Sequence, residues 1–313
     1  MLPNFLRPYH IDDQKLVRVG PKLDGGYVMD KKSILNTDII ITCGLNDDWE
    51  FEKFFLKINT KCIVEAYDHT IDKKFWIERF KKDIKHFFLL KKIRLRKIIH
   101  IFRYLDYLRF FKNHNKHHIL KIGREDIYNK EITINEILKA HQNVLLKVDI
   151  EGDEYKIFNQ ILDNSNKINT LIIEFHDIHK NIDKIEDFIV KSKELKLIHI
   201  HANNFAGSNK DGDPNVIELT FINIKKNALN LVKTNKSFPI KELDYKNIHR
   251  KEDFILNRTE GFENFVKEIK KLDIDQLAKV SGVDKQQVKE AAIAYATAKN
   301  SMEFHGLGVT EQE

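Results

Sequence analysis

Along the first 250 residues, apolar runs of strand length alternate with stretches whose apolar positions recur at i, i+3 and i+4. The run DIIITCG at 38–44 predicts a buried strand ending in glycine, and WEFEKFFLKI after it predicts a short amphipathic helix. KCIVEAYD at 61–68 predicts a second buried strand, closing on an acid. HHILKIG at 117–123 and VLLKVDI at 144–150 predict a third and a fourth, with EYKIFNQILDN helical after the latter. LIIEFHD at 171–177 predicts a fifth strand and IDKIEDFIVKSKEL another helix. KLIHIHA and NVIELTFIN, joined by a Gly/Asn/Asp-rich loop, predict a closing antiparallel hairpin. Strands that alternate with helices imply a mostly parallel sheet, which binds ligands at the carboxyl ends of its strands.

Two segments break this rhythm. Residues 71–116 are rich in aromatics and cations at helical spacing. Within 73–118 stand 15 Lys/Arg and 3 Asp/Glu, a charge of +12 in a chain whose total is +6, so the remainder is acidic. The segment predicts either a basic amphipathic lid against an anionic acceptor or membrane surface, or an inserted helical pair whose aromatics pack on the domain. Near residue 250 the composition changes: alanine occurs 5 times before it and 6 times after. A helix, a short helix, a Gly turn, a longer helix and a strand start are predicted there, the last with no helix to follow it.

No stretch matches the roughly 18 uncharged apolar residues of a membrane span, and the N-terminus lacks a secretory apolar core. A soluble, cytoplasmic protein is expected, with Cys43 and Cys62 as reduced thiols.

Chemistry is expected at the strand ends. Gly44 lets backbone approach a ligand closely, and acidic residues line the turn after it. No GxGxxG follows, so a dinucleotide pyrophosphate cradle is not supported. Asp68, at the end of the second strand, suits ribose hydroxyls. Asp149, Glu151, Asp153 and Glu154 crowd one strand-to-helix corner, where they serve an acceptor or simply cap the next helix. By alternation Glu174 and His176 share a face of the fifth strand, as His199 and His201 do on the sixth. If strands four, five and six are neighbours, Asp149, His176 and His201 meet at one mouth. Such a set can supply a general base, and Asp149, Glu174 and His176 a hard or borderline divalent metal site.

Taken together, Asp24-Gly25-Gly26-Tyr27-Val28, CGLNDDWEFE at 43–52, EAYDHT at 65–70, LLKVDIEGDEY at 145–155, LIIEFHD and HIHANNF at 199–205 resemble the FkbM-type methyltransferases. The resemblance implies a Rossmann-like class I methyltransferase sheet of seven strands, the last antiparallel, in an α/β domain over 1–250. It implies S-adenosylmethionine (SAM) as cofactor and methyl transfer to a hydroxyl of a sugar, glycan or related small molecule. By position, Gly44, Asn46 and Asp47 shape the methionine end of the cofactor site and Asp68 holds the ribose. Gly123 to Asp126 border the adenine, and Asp149 positions the acceptor, with a divalent metal as an option. The basic insert and a first motif with one glycine rather than two depart from the family pattern.

The last 60 residues, FILNRTEGFENF…VSGVDKQQVKEAAIAYATAKNSMEFHGLGVTEQ, are similar to an internal piece of the catalytic subunit of molybdopterin-dependent formate dehydrogenases. That family would place Gly306 and Gly308 near the pterin. No cysteine follows Cys62, so the family's iron–sulfur chemistry is not expected here. A small helical appendage over 251–313, joined by a fusion or gene-model junction near 250, is the expectation. Two other readings stay open beside a methyltransferase. One is an oxidoreductase fragment with no activity of its own. The other is a non-catalytic domain whose basic insert binds a membrane or, less expected, nucleic acid.

Overall fold

A computed structural model describes residues 3–89, 100–210, 212–227, 232–256 and 271–297. It divides into two compact units, Met1–Arg258 and Thr259–Glu313. The sequence places the junction near 250, but the first unit runs further. Phe238 and Leu256 exchange backbone hydrogen bonds, and Asn204 reaches the carbonyls of Lys251 and Glu252.

The first unit opens with a hairpin, β1 (Leu16–Val19) against β2 (Tyr27–Asp30), and helix α1 (Lys31–Leu35), capped by the Asp30 carboxylate. Then follow β3 (Ile39–Cys43), α2 (Glu50–Ile58), β4 (Ile63–Tyr67), α3 (Lys73–Leu89), α4 (His100–Phe110) and β5 (Lys116–His118). Next are β6 (Lys121–Ile122), β7 (Glu131–Ile132), α5 (Ile134–Ile137), β8 (Val144–Val148), α6 (Phe158–Asp163) and β9 (Ile168–Phe175). Helix α7 (Ile178–Lys191) and strands β10 (Leu195–Ala202) and β11 (Ile217–Asn223) complete the series. Seven strands form one sheet in the order β10-β11-β9-β8-β3-β4-β5, with β11 antiparallel to both neighbours and the β9-to-β5 strands parallel. This is the Rossmann-like class I methyltransferase arrangement that the sequence predicts.

The continuous apolar runs reflect burial on both faces. Ile39, Ile41, Leu146 and Ile173 pack on one side with Ile134, Ile161, Ile185 and Phe188 from the helices. Ile40, Val64, Leu145 and Ile172 pack on the other with Tyr27, Ile34, Phe51 and Phe55. Two details differ from the periodicity. The third strand is split: Leu120 N–H bonds back to the His118 carbonyl, and β6 leaves the main sheet to pair with β7. The fourth strand is followed by a 3-10 turn, Glu154–Lys156, before α6 begins. Cys43 and Cys62 are free and buried, and burial pushes each thiol up to about 12.

The insert forms a helical pair whose aromatics pack on the domain. Trp76, Phe80, Tyr104 and Tyr107 gather with Trp49 and Ile71, and Trp49 Nε1 donates to Asp106 at 2.9 Å. Its outer side exposes Ile84, Phe102, Leu105 and Leu108 among Lys81, Lys82, Lys85 and Arg109. No helix among the described residues is long and apolar enough to cross a membrane.

In the second unit, helices Ile274–Ser281 and Lys285–Thr297 are joined through Gly282, whose φ of 71° ends the first. Asp273 caps it by accepting from the Asp275 and Gln276 amides, and Leu277, Val280, Val288 and Ile293 are exposed. In the tail, Phe262, Phe265, Ile269, Gly306 and Gly308 lie outside the described residues.

Candidate active site

The carboxyl ends of β3, β4 and β8 open onto a cavity of about 410 Å³. Its wall includes Gly44 to Asn46, Asp68 to Thr70, Leu120 to Ile122, Asp149 to Glu151 and, from the N-terminal hairpin, Asp24 and Tyr27. The position obeys the rule that open parallel sheets bind ligands beyond their carboxyl ends.

One side of this cavity is built from backbone. Gly44 has φ 84°, and a Cβ there would stand 1.7 Å from the Asp149 carbonyl oxygen, so only glycine lets the ends of β3 and β8 come together. Asp68 Oδ2 accepts the Leu45 and Asn46 amides, each at 2.9 Å. Its Oδ1 accepts the Thr70 amide at 2.7 Å and the Thr70 hydroxyl at 2.6 Å. Burial alone would raise this carboxyl, but those bonds outweigh it and hold Asp68 below its usual range.

The other side collects charge. Lys147 is buried at the cavity floor, 3.7 Å from Glu52, whose Oε1 also accepts the Thr42 hydroxyl. Burial would lower Lys147, yet Glu52, Asp149, Asp48 and Glu174 keep it above its ordinary value. Enclosure pushes Asp149 up to about 6, against the pull of Lys147 and His176. His176 sits just past β9 outside the wall itself, against the wall residues Asp149 and Glu151, with Nδ1 3.0 Å from Glu154 Oε1 and Nε2 3.5 Å from Glu151 and 3.9 Å from Asp149. Desolvation works against its charge, but Glu154, Asp149 and Glu151 together raise it. Glu154 is fully buried; its Oε1 also accepts the Ile150 and Gly152 amides, and its Oε2 has no hydrogen-bond partner among the described residues.

Several expected site residues lie elsewhere. His201 does not join Asp149 and His176, because β11 stands between β9 and β10 and puts it three strands from β8, about 14 Å at normal strand spacing. It is buried against Glu218 at 3.4 Å and Asp253 at 3.5 Å. Glu174 stays in the cavity wall but meets Asn203 at 3.0 Å rather than His176, since the chain leaves the pleat after Phe175 and Asp177 turns left-handed at φ 50°. Asp149, Glu151 and His176 therefore form the ligand-like group, with Glu151 in the place expected for Glu174. Asp47 is not in the cavity wall: its carboxylate pairs with Arg79 at 3.0 Å and its carbonyl accepts from Arg103. Asp126 binds the amide and hydroxyl of Thr133, the cap of α5, and the wall near β6 is Leu120 to Ile122 rather than Gly123 to Asp126.

The Methyltransferase FkbM domain matches residues 35–197, more than half of the chain, and takes in β3, β4 and β8, whose carboxyl ends open onto the cavity. The chain belongs to the FkbM methyltransferase family. Among solved structures, its fold is similar to the Methanococcus jannaschii fibrillarin pre-rRNA processing protein, at TM-score 0.32 and 10% identity over 61% of this chain and 68% of that one. It is also similar to M. jannaschii TYW2 in complex with AdoMet, at TM-score 0.30 and 10% identity over 62% and 74%. A separate, local likeness is to the F420-dependent formate dehydrogenase 2 subunit alpha of Methanococcus maripaludis, 38% identical over 60 residues. That match takes in 19% of this chain and spans only 9% of the length of the dehydrogenase subunit.

Residues of this FkbM-type cavity to which sequence reasoning gave no role are Lys147, Tyr27 and Asp24. Lys147 carried a signal, being the one charge inside VLLKV, where a lysine is buried only with a partner.

Proposed function

We propose that this FkbM-family methyltransferase uses SAM to methylate a hydroxyl of a sugar, glycan or related small molecule. The observation that carries the reading is the meeting of the Gly44–Asn46 turn and the Asp149 corner on one cavity. The first suits the cofactor and the second the acceptor. Gly44 to Asn46 would hold the methionine end of SAM, and Asp68 its ribose. Leu120 and Ile122 supply apolar surface for the adenine.

The acceptor oxygen attacks the SAM methyl carbon in line with the breaking carbon–sulfur bond, leaving S-adenosylhomocysteine. Its proton passes to Asp149, raised to about 6 and so matched to neutral conditions. Glu174 is the poorer base: burial, then Asp149, Glu218 and Asp24, raise its carboxyl well above its ordinary value. The exposed lysines on α3 favour an acceptor or a surface that carries negative charge.

The test is transfer from methyl-labelled SAM to a panel of hydroxylated sugars. Asp149→Asn should lower kcat by about 10²- to 10⁴-fold while SAM affinity stays unchanged. Label found on nitrogen acceptors only, or full turnover in Asp149→Asn, would remove the O-methyltransferase assignment.

A further inference from the structure

We propose that Asp149, Glu151 and His176 form a divalent-cation site on the acceptor side of the cavity, with Glu154 as its supporting carboxylate. One oxygen from each acid and one nitrogen of the imidazole lie within 4.8 Å of one another. Two ligands bound to one ion at about 2.1 Å stand at most about 4.2 Å apart. The 3.9 Å from His176 Nε2 to Asp149 and the 3.5 Å to Glu151 both fit that limit. Glu151, with a side chain 83% exposed, is free to close the remaining gap.

The second observation is behind the ring. Glu154 is wholly buried and takes Nδ1–H of His176 at 3.0 Å while also accepting the amides of Ile150 and Gly152. Its carboxylate thus fixes both the imidazole and the loop that carries Glu151. A carboxylate on the far nitrogen is the usual support of a metal-bound histidine, setting tautomer and ring orientation. With Nδ1–H given to Glu154, Nε2 turns a lone pair toward the oxygens of Asp149 and Glu151. Asp149, Glu151 and His176 Nε2 then offer three ligand atoms to one ion.

Two carboxylates and one imidazole at a half-open rim suit a hard-to-borderline ion that keeps water or substrate oxygens, and Mn2+ fits this mixed set best. Placed there, the ion would lower the pKa of the acceptor hydroxyl, with Asp149 then serving as its ligand rather than as the free base. That role rests on the methyltransferase reading; binding of the ion does not.

The experiment is Mn2+ titration of the full chain without SAM, following the free-ion electron paramagnetic resonance signal. One ion per chain is expected. Asp149→Asn, His176→Ala and Glu151→Gln should each weaken binding at least about 10-fold, and Glu154→Gln about 10- to 100-fold. Glu186→Gln, which removes an exposed charge from α7, should leave it unchanged. Glu151→Gln alters only an exposed side chain, so a folding defect in another variant does not decide the matter. Absence of stoichiometric uptake by the wild type, or uptake undiminished in Glu151→Gln and His176→Ala, overturns the site. SAM titration of the same samples separates the two claims: SAM binding without Mn2+ rejects the metal site alone, and Mn2+ binding without SAM rejects the methyltransferase reading alone.

Discussion

The two sides of the cavity are made of similar residues to opposite ends. After β3 and β4, one carboxylate, Asp68, receives hydrogen bonds from three backbone amides and a hydroxyl, so its charge is spent on holding the Gly44–Asn46 turn. After β8 and β9, Asp149, Glu151 and Glu154 surround a single imidazole, and their charge is left over. A saturated carboxylate makes a rigid wall, suited to a cofactor that always presents the same shape. An under-compensated cluster stores affinity for protons, cations or acceptor hydroxyls, which is what a reaction centre needs.

The sharpest way to break this comparison is at the shared boundary. Gly44→Ala should cost about 4 kcal/mol or more, from a left-handed backbone and a clash with the Asp149 carbonyl. Urea unfolding measures it, and a loss below about 1 kcal/mol would mean that the close approach is not obligatory.

A second test uses His201, which the fold keeps out of the cluster. Burial opposes its charge, but Asp253 and Glu218 raise it to about 10. Its contribution to stability is complete below its unfolded pKa of about 6.5 and is lost as pH rises toward 10. Resistance of the wild type to denaturation should therefore fall by a few kcal/mol over that window, and His201→Gln should flatten the slope. An equal slope in both proteins would contradict the buried pairing, whereas a change in turnover with no change in slope would return His201 to the reaction centre.

The smallest effect is expected from removing the second unit. A chain ending at Arg258 should bind SAM with unchanged affinity and melt at an unchanged temperature. A chain ending at Arg250 loses Asp253 from His201 and Leu256 from Phe238, and should melt several degrees lower. Equal melting of the two truncated chains would place the boundary back at 250.

Much of this was legible in the sequence because strand burial writes itself as runs such as DIIITC and LIIEF. Gly44, Asp68 and Asp149 were legible for the same reason, each ending such a run. What periodicity does not encode is neighbour order. Nothing in KLIHIHA says that β11 will slip between it and β9, and that insertion is what removed His201. Nor does alternation survive a strand end, so Glu174 and His176 parted at Phe175. Glu154 read equally well as a helix cap, because its role depends on a histidine 22 residues away.

The claim on which the rest stands is that the rigid side of the cavity binds SAM, and calorimetric titration of the full chain with SAM tests it most directly. One site per chain is predicted for the wild type. Asp68→Ala, which frees the Gly44–Asn46 turn and removes the ribose acceptor, should weaken binding by about 1–3 kcal/mol while the protein stays folded. No heat of binding in the wild type, or equal affinity in a folded Asp68→Ala variant, would contradict the account.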